Sequence, residues 1–375
     1  MADVTVFGYV VPTVVIFVAV ALVLGLALAV SFYLTIGLSV YRSVVDTRRE
    51  RVRDSLQSEI LDRLFAEGEP GWESWVAALS GTERTVVESL LDEYLRELDG
   101  QDADRLRGLG MALGIPERAR KRLEQGGEYA RLGALTWLTL LRESAPYEAA
   151  AFEPRTPRER AATVTLLQET GELPDAETGI GLLLDGSDEQ FSVFGQDTLY
   201  RVARTDPEPM MERAREHYRT WPEPLLAQVL AVCAHLEASV GAADLSWLTA
   251  ALETDNEAIR AAAAEAIESF GWQPSLRDDV LLGRATDDPS PRVRAAVYRM
   301  LAEWGDEEAL TALLYALVSE TNPRALTIGT TALVGQRDRI DVDAAAVLGP
   351  AWEWSLEHAE YDRLAREGHI RTVGR

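Results

Sequence analysis

The chain has 375 residues, 61 acidic against 37 basic, a formal charge of −24 and a pI near 4.6. A polyanion of that strength repels phosphate backbones, which excludes nucleic-acid binding through a general electrostatic footprint. Cys233 is the only cysteine, which excludes an intrachain disulfide and a thiolate metal cluster.

The first predicted element is apolar. No charged residue occurs from Val4 to Tyr41, a run of 38 residues. A helix rises about 1.5 Å per residue, so about 20 apolar residues cross a bilayer core of about 30 Å. The stretch from Val14 through Ile36 is long enough, and the surplus is taken up as tilt. The pattern predicts a single transmembrane helix within 4–41, with Pro12 in its first turn and Tyr9, Tyr33 and Tyr41 near the interfaces. Ala27-Leu28-Ala29 has the look of a signal-peptide cleavage site. Against cleavage, the residues before the run carry Asp3 and no Lys or Arg, and the run exceeds the length of a signal-peptide core.

Arg42, Arg48, Arg49, Arg51 and Arg53 follow at once. The positive-inside rule then sets the C-terminal side in the cytoplasm and the N-terminus outside, with these arginines against lipid head groups. Ala21, Gly25 and Ala29 recur at every fourth position and share one face, along which two membrane helices can approach. Membrane helices are rich in small residues in any case, so this face also fits a helix without a partner.

Residues 42–68 read as a juxtamembrane cytoplasmic helix. Val52, Leu56, Ile60 and Leu64 form one apolar stripe, with Leu61 and Phe65 beside it, and Gly68-Glu69-Pro70-Gly71 breaks the pattern. Beyond it, helical segments alternate with Gly, Pro and Asp punctuation, and strand-like alternation is nearly absent. The division reads as an N-terminal helical cap region at 70–126, repeats at 127–349, and a capping helix and tail at 350–375. The fold class is all-α.

The repeats are visible as an ungapped self-match. Thr254-Asp255-Asn256-Glu257-Ala258-Ile259-Arg260-Ala261-Ala262 with Ile267 and Gly271 aligns with Asp288-Pro289-Ser290-Pro291-Arg292-Val293-Arg294-Ala295-Ala296 with Leu301 and Gly305, so that Arg260 and Arg294 stand 34 residues apart. A fainter copy runs from Pro157 through Arg160 to Gly171, and Tyr129-Ala130-Arg131, Pro224-Leu225-Leu226-Ala227 and Pro323-Arg324-Ala325 open others. One helix pair has too little interior to stand alone, so stacked pairs must share a continuous core.

These residues resemble HEAT repeats, in the short form also found in phycobilin-lyase-like proteins, over roughly Glu128 to Gly335. The resemblance implies an α-solenoid of antiparallel helix pairs. It also implies a ladder in which an aspartate before the first helix and an arginine within it link neighbouring repeats. Asp288 and Arg294 match those roles, as do Arg260 and Arg160, while Thr254 stands where an aspartate would and interrupts the ladder. The second helices, about Leu245–Leu252, Leu276–Ala285 and Glu307–Val318, would line the binding face.

No chemistry-bearing constellation emerges. Gly108, Gly110 and Gly114 lack the spacing and preceding strand of a dinucleotide loop, and Gly179, Gly181 and Gly186 fail likewise. Asp338, Asp341 and Asp343 lack the turn glycine and terminal glutamate of a calcium loop. Asp278, Asp279, Asp287 and Asp288 read as solvated acidic loops. His217, His235, His358 and His369 stand apart, without a second metal ligand at helical spacing. Trp352 and Trp354 are two residues apart and cannot both face one core, so one is a candidate interaction anchor unless both wrap the end of the stack.

The expectation is therefore a membrane-anchored, non-catalytic scaffold without cofactor, metal or small-molecule substrate, which binds a protein partner. Resemblance to other anchored HEAT proteins points to a membrane enzyme such as a glycosyltransferase. A lyase-like enzyme of the same repeat group is the alternative, as is a membrane sensor dimerising through Ala21, Gly25 and Ala29. The dispersed acidic surface, with Lys121 as the single lysine, resembles proteins of salt-loving archaea.

Overall fold

The computed structural model describes residues 3–6, 9–12, 22, 28, 31–32, 52–144, 154–236, 244–340 and 343–366. The apolar run does not open as a helix. Asp3–Val6 (β1) pairs antiparallel with Tyr9–Pro12 (β2), with Val4 opposite Val11 and Val6 opposite Tyr9. Val4, Thr5, Val6, Val10 and Val11 are β-branched, and their stiff side chains suit a pleated ribbon better than a helical turn. The predicted membrane helix is thus corrected over 4–12, and Pro12 ends a strand instead of entering a helix. Leu22, Leu28, Ser31 and Phe32 are helical and exposed. Ala21, Gly25, Ala29, Arg42, Arg48, Arg49 and Arg51 lie outside the described residues. No helix among the described residues is long and apolar enough to cross a membrane.

The chain divides into two compact units, Met1–Pro116 and Glu117–Arg375. In the first, helix α1 (52–64) buries Leu56, Ile60 and Leu64, while Phe65, one step off the stripe, is exposed. It is followed by α2 (Trp72–Ala78), α3 (Gly81–Glu97) and α4 (Gly100–Ala112). Ser80 and Glu83 close the start of α3 with a capping box. The guanidinium of Arg105 donates to the Leu64 carbonyl at 2.6 Å and closes the end of α1. The indole N–H groups of Trp72 and Trp75 donate to the Arg105 carbonyl at 2.9 Å and to Glu59 at 2.7 Å. Arg53, from the basic run after the apolar segment, pairs with Glu93 of α3. Gly108 and Gly110 lie inside α4, a helix and not a loop.

The second unit starts within α5 (Ile115–Gln125) and is an α-solenoid of two layers. One layer, here called A, stacks α6 (Glu128–Leu141), α7 (Pro157–Thr170), α9 (Val193–Thr205), α11 (Glu223–Cys233), α13 (Glu257–Phe270), α16 (Pro291–Trp304), α18 (Pro323–Val334) and α20 (Pro350–Arg366), each on the next. The other, B, contains α8 (Ala176–Leu184), α10 (Glu208–His217), α12 (Ser246–Ala251), α14 (Pro274–Asp279) with α15 (Leu282–Thr286), α17 (Glu307–Ser319) and α19 (Ala344–Leu348). A continuous buried cluster runs from Ala161 to Trp352 between the layers. This is how helix pairs too small to stand alone share an interior.

The repeat signature explains the stacking of α13 on α16. Ala261, Ala262, Ala263 and Ala264 of α13 and Ala295 and Ala296 of α16 are buried, and small side chains let adjacent backbones approach. Gly171, Gly271 and Gly305, each 11 residues beyond its repeat arginine (Arg160, Arg260 and Arg294), follow the last helical residue with φ of 72°, 67° and 63°. Only glycine adopts that left-handed backbone without a steric cost, so the chain turns there from layer A to layer B.

Candidate functional site

The polar groups of the solenoid form cross-repeat rungs. Arg260 of α13 places Nε at 2.7 Å and Nη2 at 3.0 Å from the two carboxylate oxygens of Asp288, 28 residues on. Its Nη1 donates to the carbonyls of Thr254 and Asp255, each at 2.9 Å. Arg294 of α16 repeats the arrangement: both contacts to Glu320 are 2.7 Å, and Nη1 donates to the Asp288 carbonyl at 2.7 Å. The Tyr298 hydroxyl donates to Glu320 at 2.8 Å. The Arg294 guanidinium, with the Asn322 N–H and the Tyr298 hydroxyl, outweighs burial and holds the Glu320 carboxyl well below the usual range, at about 2. Burial and the adjoining Glu320 carboxylate push the Tyr298 phenol up.

A third rung joins Arg131 of α6 to Glu159 of α7, also 28 residues apart, with both side chains buried. Glu159 further accepts the Arg155 N–H at 2.8 Å, so the buried charge is paired and hydrogen-bonded. Arg160, expected in the ladder, makes no such rung. Its guanidinium donates to the carbonyls of Leu182 and Asp185 at the end of α8. Thr254 leaves the Arg260 rung intact, because Arg260 reaches forward to Asp288. One repeat earlier Ala227 stands in place of an arginine, so no guanidinium needs a carboxylate at Thr254.

The two C-terminal rungs lie in grooves between repeats. One, of about 620 Å³, runs between α12 and α15 over α13 and α16, with the Arg260–Asp288 pair in its lining. A smaller one, of about 210 Å³, lies on the other side of α15 and includes Arg294 and Glu320. Asp287 and Asp288 line both.

Layer B is ion-paired along its length: in its C-terminal half Arg277 of α14 bridges Asp306 and Glu308, and Arg284 of α15 bridges Glu253. Near its start Arg213 of α10 bridges Glu177 at 2.7 Å and Asp185 at 2.9 Å in α8 and its C-cap, and the outward residues there are polar. Further on, Leu281, Tyr315, Val318 and Val347 are exposed, Tyr315 at 73% and Leu281 at 64%. The expected second helix at Leu276–Ala285 is broken at Val280 and Leu281, which are extended. Val280 turns inward and is buried, leaving Leu281 outside.

The remaining expected residues separate. Trp352 of α20 joins the buried cluster, whereas Trp354 is 52% exposed and stacks on His358 with ring centroids 5.0 Å apart. The two therefore do not both wrap the end of the stack. Cys233 is fully buried, and burial pushes its thiol pKa up, away from reactivity. Gly179 and Gly181 lie inside α8, where close packing uses the missing side chain: a Cβ at Gly179 would meet Val202 at 3.0 Å. Asp343 caps α19, Asp338 lies in a short 3-10 turn, and Asp341 is outside the described residues. Two partners eluded sequence reasoning, Glu159 and Glu320. The spacing of 28 shared by Arg131–Glu159 and Arg260–Asp288 is a signal that could have found the first.

Compared with known families, residues 245–334 match the model of HEAT repeats. They run from the start of α12 to the end of α18, through both well-formed rungs. This stretch therefore carries HEAT repeats, within a longer stack of layered helix pairs. A search of curated proteins returns no match.

Proposed function

We propose that the protein is a non-catalytic scaffold that docks a protein partner on the C-terminal half of layer B and is tethered to the inner face of a membrane by its N-terminal segment. The docking half of this reading rests on one observation: Leu281, Tyr315, Val318 and Val347 are exposed together on the C-terminal half of layer B, beside the ion pairs of Arg277 and Arg284. Helical repeats offer such surfaces to other proteins, and exposed aromatic and aliphatic groups on them are where binding energy concentrates. The tether rests on sequence. Even without residues 4–12, the uncharged stretch from Thr13 to Tyr41 exceeds the about 20 residues that a crossing helix needs.

The partner is then a membrane protein, and the resemblance to anchored HEAT proteins favours an enzyme such as a glycosyltransferase. The acidic surface fits a cytoplasm of high salt, where carboxylates keep the molecule hydrated and their repulsion is screened. Membrane fractionation of cells expressing the full chain and a chain lacking residues 1–41 tests the tether. The full chain sediments with membranes and resists carbonate extraction, and the truncated chain stays in the supernatant. Equal solubility of the two refutes it. Purification in mild detergent tests the partner, and recovery without any membrane-embedded enzyme refutes that assignment.

A further inference from the structure

The groove between α12 and α15 has a composition that selects what enters it. Its accessible apolar lining is Leu252, Ala285 and Leu281, which lie over the already buried Val280, Val293 and Val297. Its rim carries four carboxylates, Glu253, Asp255, Asp287 and Asp288, against the two guanidinium groups of Arg260 and Arg284. Arg260 is committed to Asp288 and Arg284 to Glu253 at 3.0 Å. Asp255 and Asp287 are exposed and enter no ion pair among the described residues. A cation at the rim thus meets two exposed carboxylates that hold no direct ion pair, in a lining where four carboxylates face two guanidinium groups, so it is favoured over an anion such as a lipid phosphate.

We propose that this groove receives a partner polypeptide segment in which an aliphatic side chain is flanked by arginine or lysine. The aliphatic group packs against Leu252 and Ala285, its cationic neighbours bridge to Asp255 and Asp287, and Leu281 at the mouth covers the contact. A volume of about 620 Å³ admits a few side chains and not a folded domain, so the occupant is a short segment. Asp287 also borders the smaller groove across α15, which extends the acidic track along the segment's path. This deepens the scaffold reading and rests on it, since it names what the partner presents.

The test is a phage-displayed random peptide library panned on the full chain in mild detergent. A variant carrying D255N, D287N and L281S serves as counter-target. All three side chains are exposed and take no part in the rungs, which use only the backbone carbonyl of Asp255, so the variant folds, as an unchanged helical circular-dichroism melt verifies. The expected result is enrichment of sequences that place Leu, Ile or Val beside Arg or Lys. Synthetic versions bind the parent chain about tenfold or more tighter than the variant and weaken as salt is raised. Enrichment of sequences without basic residues, equal affinity for parent and variant, or no enrichment overturns the proposal. Failure here with a partner still crosslinked at Tyr315 removes the groove alone. Loss of that crosslink removes the scaffold reading.

Discussion

Arg260 and Asp288 meet through two parallel hydrogen bonds across the boundary between successive repeats, with side chains only 11% and 10% exposed. The pair thus acts as a nearly dry clamp, and Arg294 with Glu320 repeats it one step along the stack. The clamp is local in sequence space, 28 and 26 residues, which suits a molecule stabilised by nearest-neighbour interfaces.

Removal of one partner leaves the other charge desolvated. Arg260→Ala is expected to cost about 3 kcal/mol in a urea unfolding experiment, while Arg260→Ala combined with Asp288→Asn costs less than the two single changes added together. Strict additivity would show that the pair contributes nothing as a pair.

Glu320 gives the clamp a pH dependence. Its folded pKa of about 2 lies below the ordinary 4.5. The sign follows from linkage: the contribution is fully present above the unfolded pKa and is lost as pH falls from about 4.5 toward 2. At neutral pH it is on the order of 3 kcal/mol. The urea midpoint of Glu320→Gln, followed from pH 6 down to pH 3, should therefore fall less steeply than that of the parent. Parallel curves would place the acid sensitivity elsewhere.

Two glycines separate packing from helix propensity. Gly133 sits in α6 with open space where a Cβ would go, so Gly133→Ala is expected to stabilise by up to about 1 kcal/mol. At Gly329 in α18 a Cβ would come within 2.5 Å of Leu317 and 2.7 Å of Tyr298, so Gly329→Ala is expected to destabilise by about 1–3 kcal/mol despite the same propensity gain. Thermal melts of the two variants should move in opposite directions. Shifts of the same sign would contradict the packing of α18 on α16 and α17.

A charge of −24 makes the folded chain repel itself. The screening length falls from about 10 Å at 0.1 M salt to about 3 Å at 1 M. The melting temperature should climb over that range in KCl, before any specific ion effect. A flat or falling profile would argue against a high-salt setting.

Much of layer A was legible because its determinants are short-range. The match between Arg260 and Arg294 fixes a helix of equal length at both places, and Gly271 and Gly305 end it in the same way. Trp352 and Trp354 parted as helix geometry requires. The N-terminal hairpin was not legible from hydropathy, which counts Val4, Val6, Val10 and Val11 as apolar and ignores their branching. Glu320 escaped notice because the residue aligned with Asp288 is Asn322, and the carboxylate reaches Arg294 from two positions earlier. The exposed apolar residues of layer B could not be read at all, since exposure of Tyr315 and Leu281 depends on how α15 and α17 pack.

The docking surface itself is most directly probed by photo-crosslinking in living cells. A photoreactive amino acid replaces Tyr315 or Leu281 in layer B, and Glu303, exposed on α16 of layer A, serves as the control. The account predicts one and the same partner protein joined to the chain from positions 315 and 281 and absent from position 303. Crosslinks of equal yield at all three positions, or at position 303 alone, would contradict it.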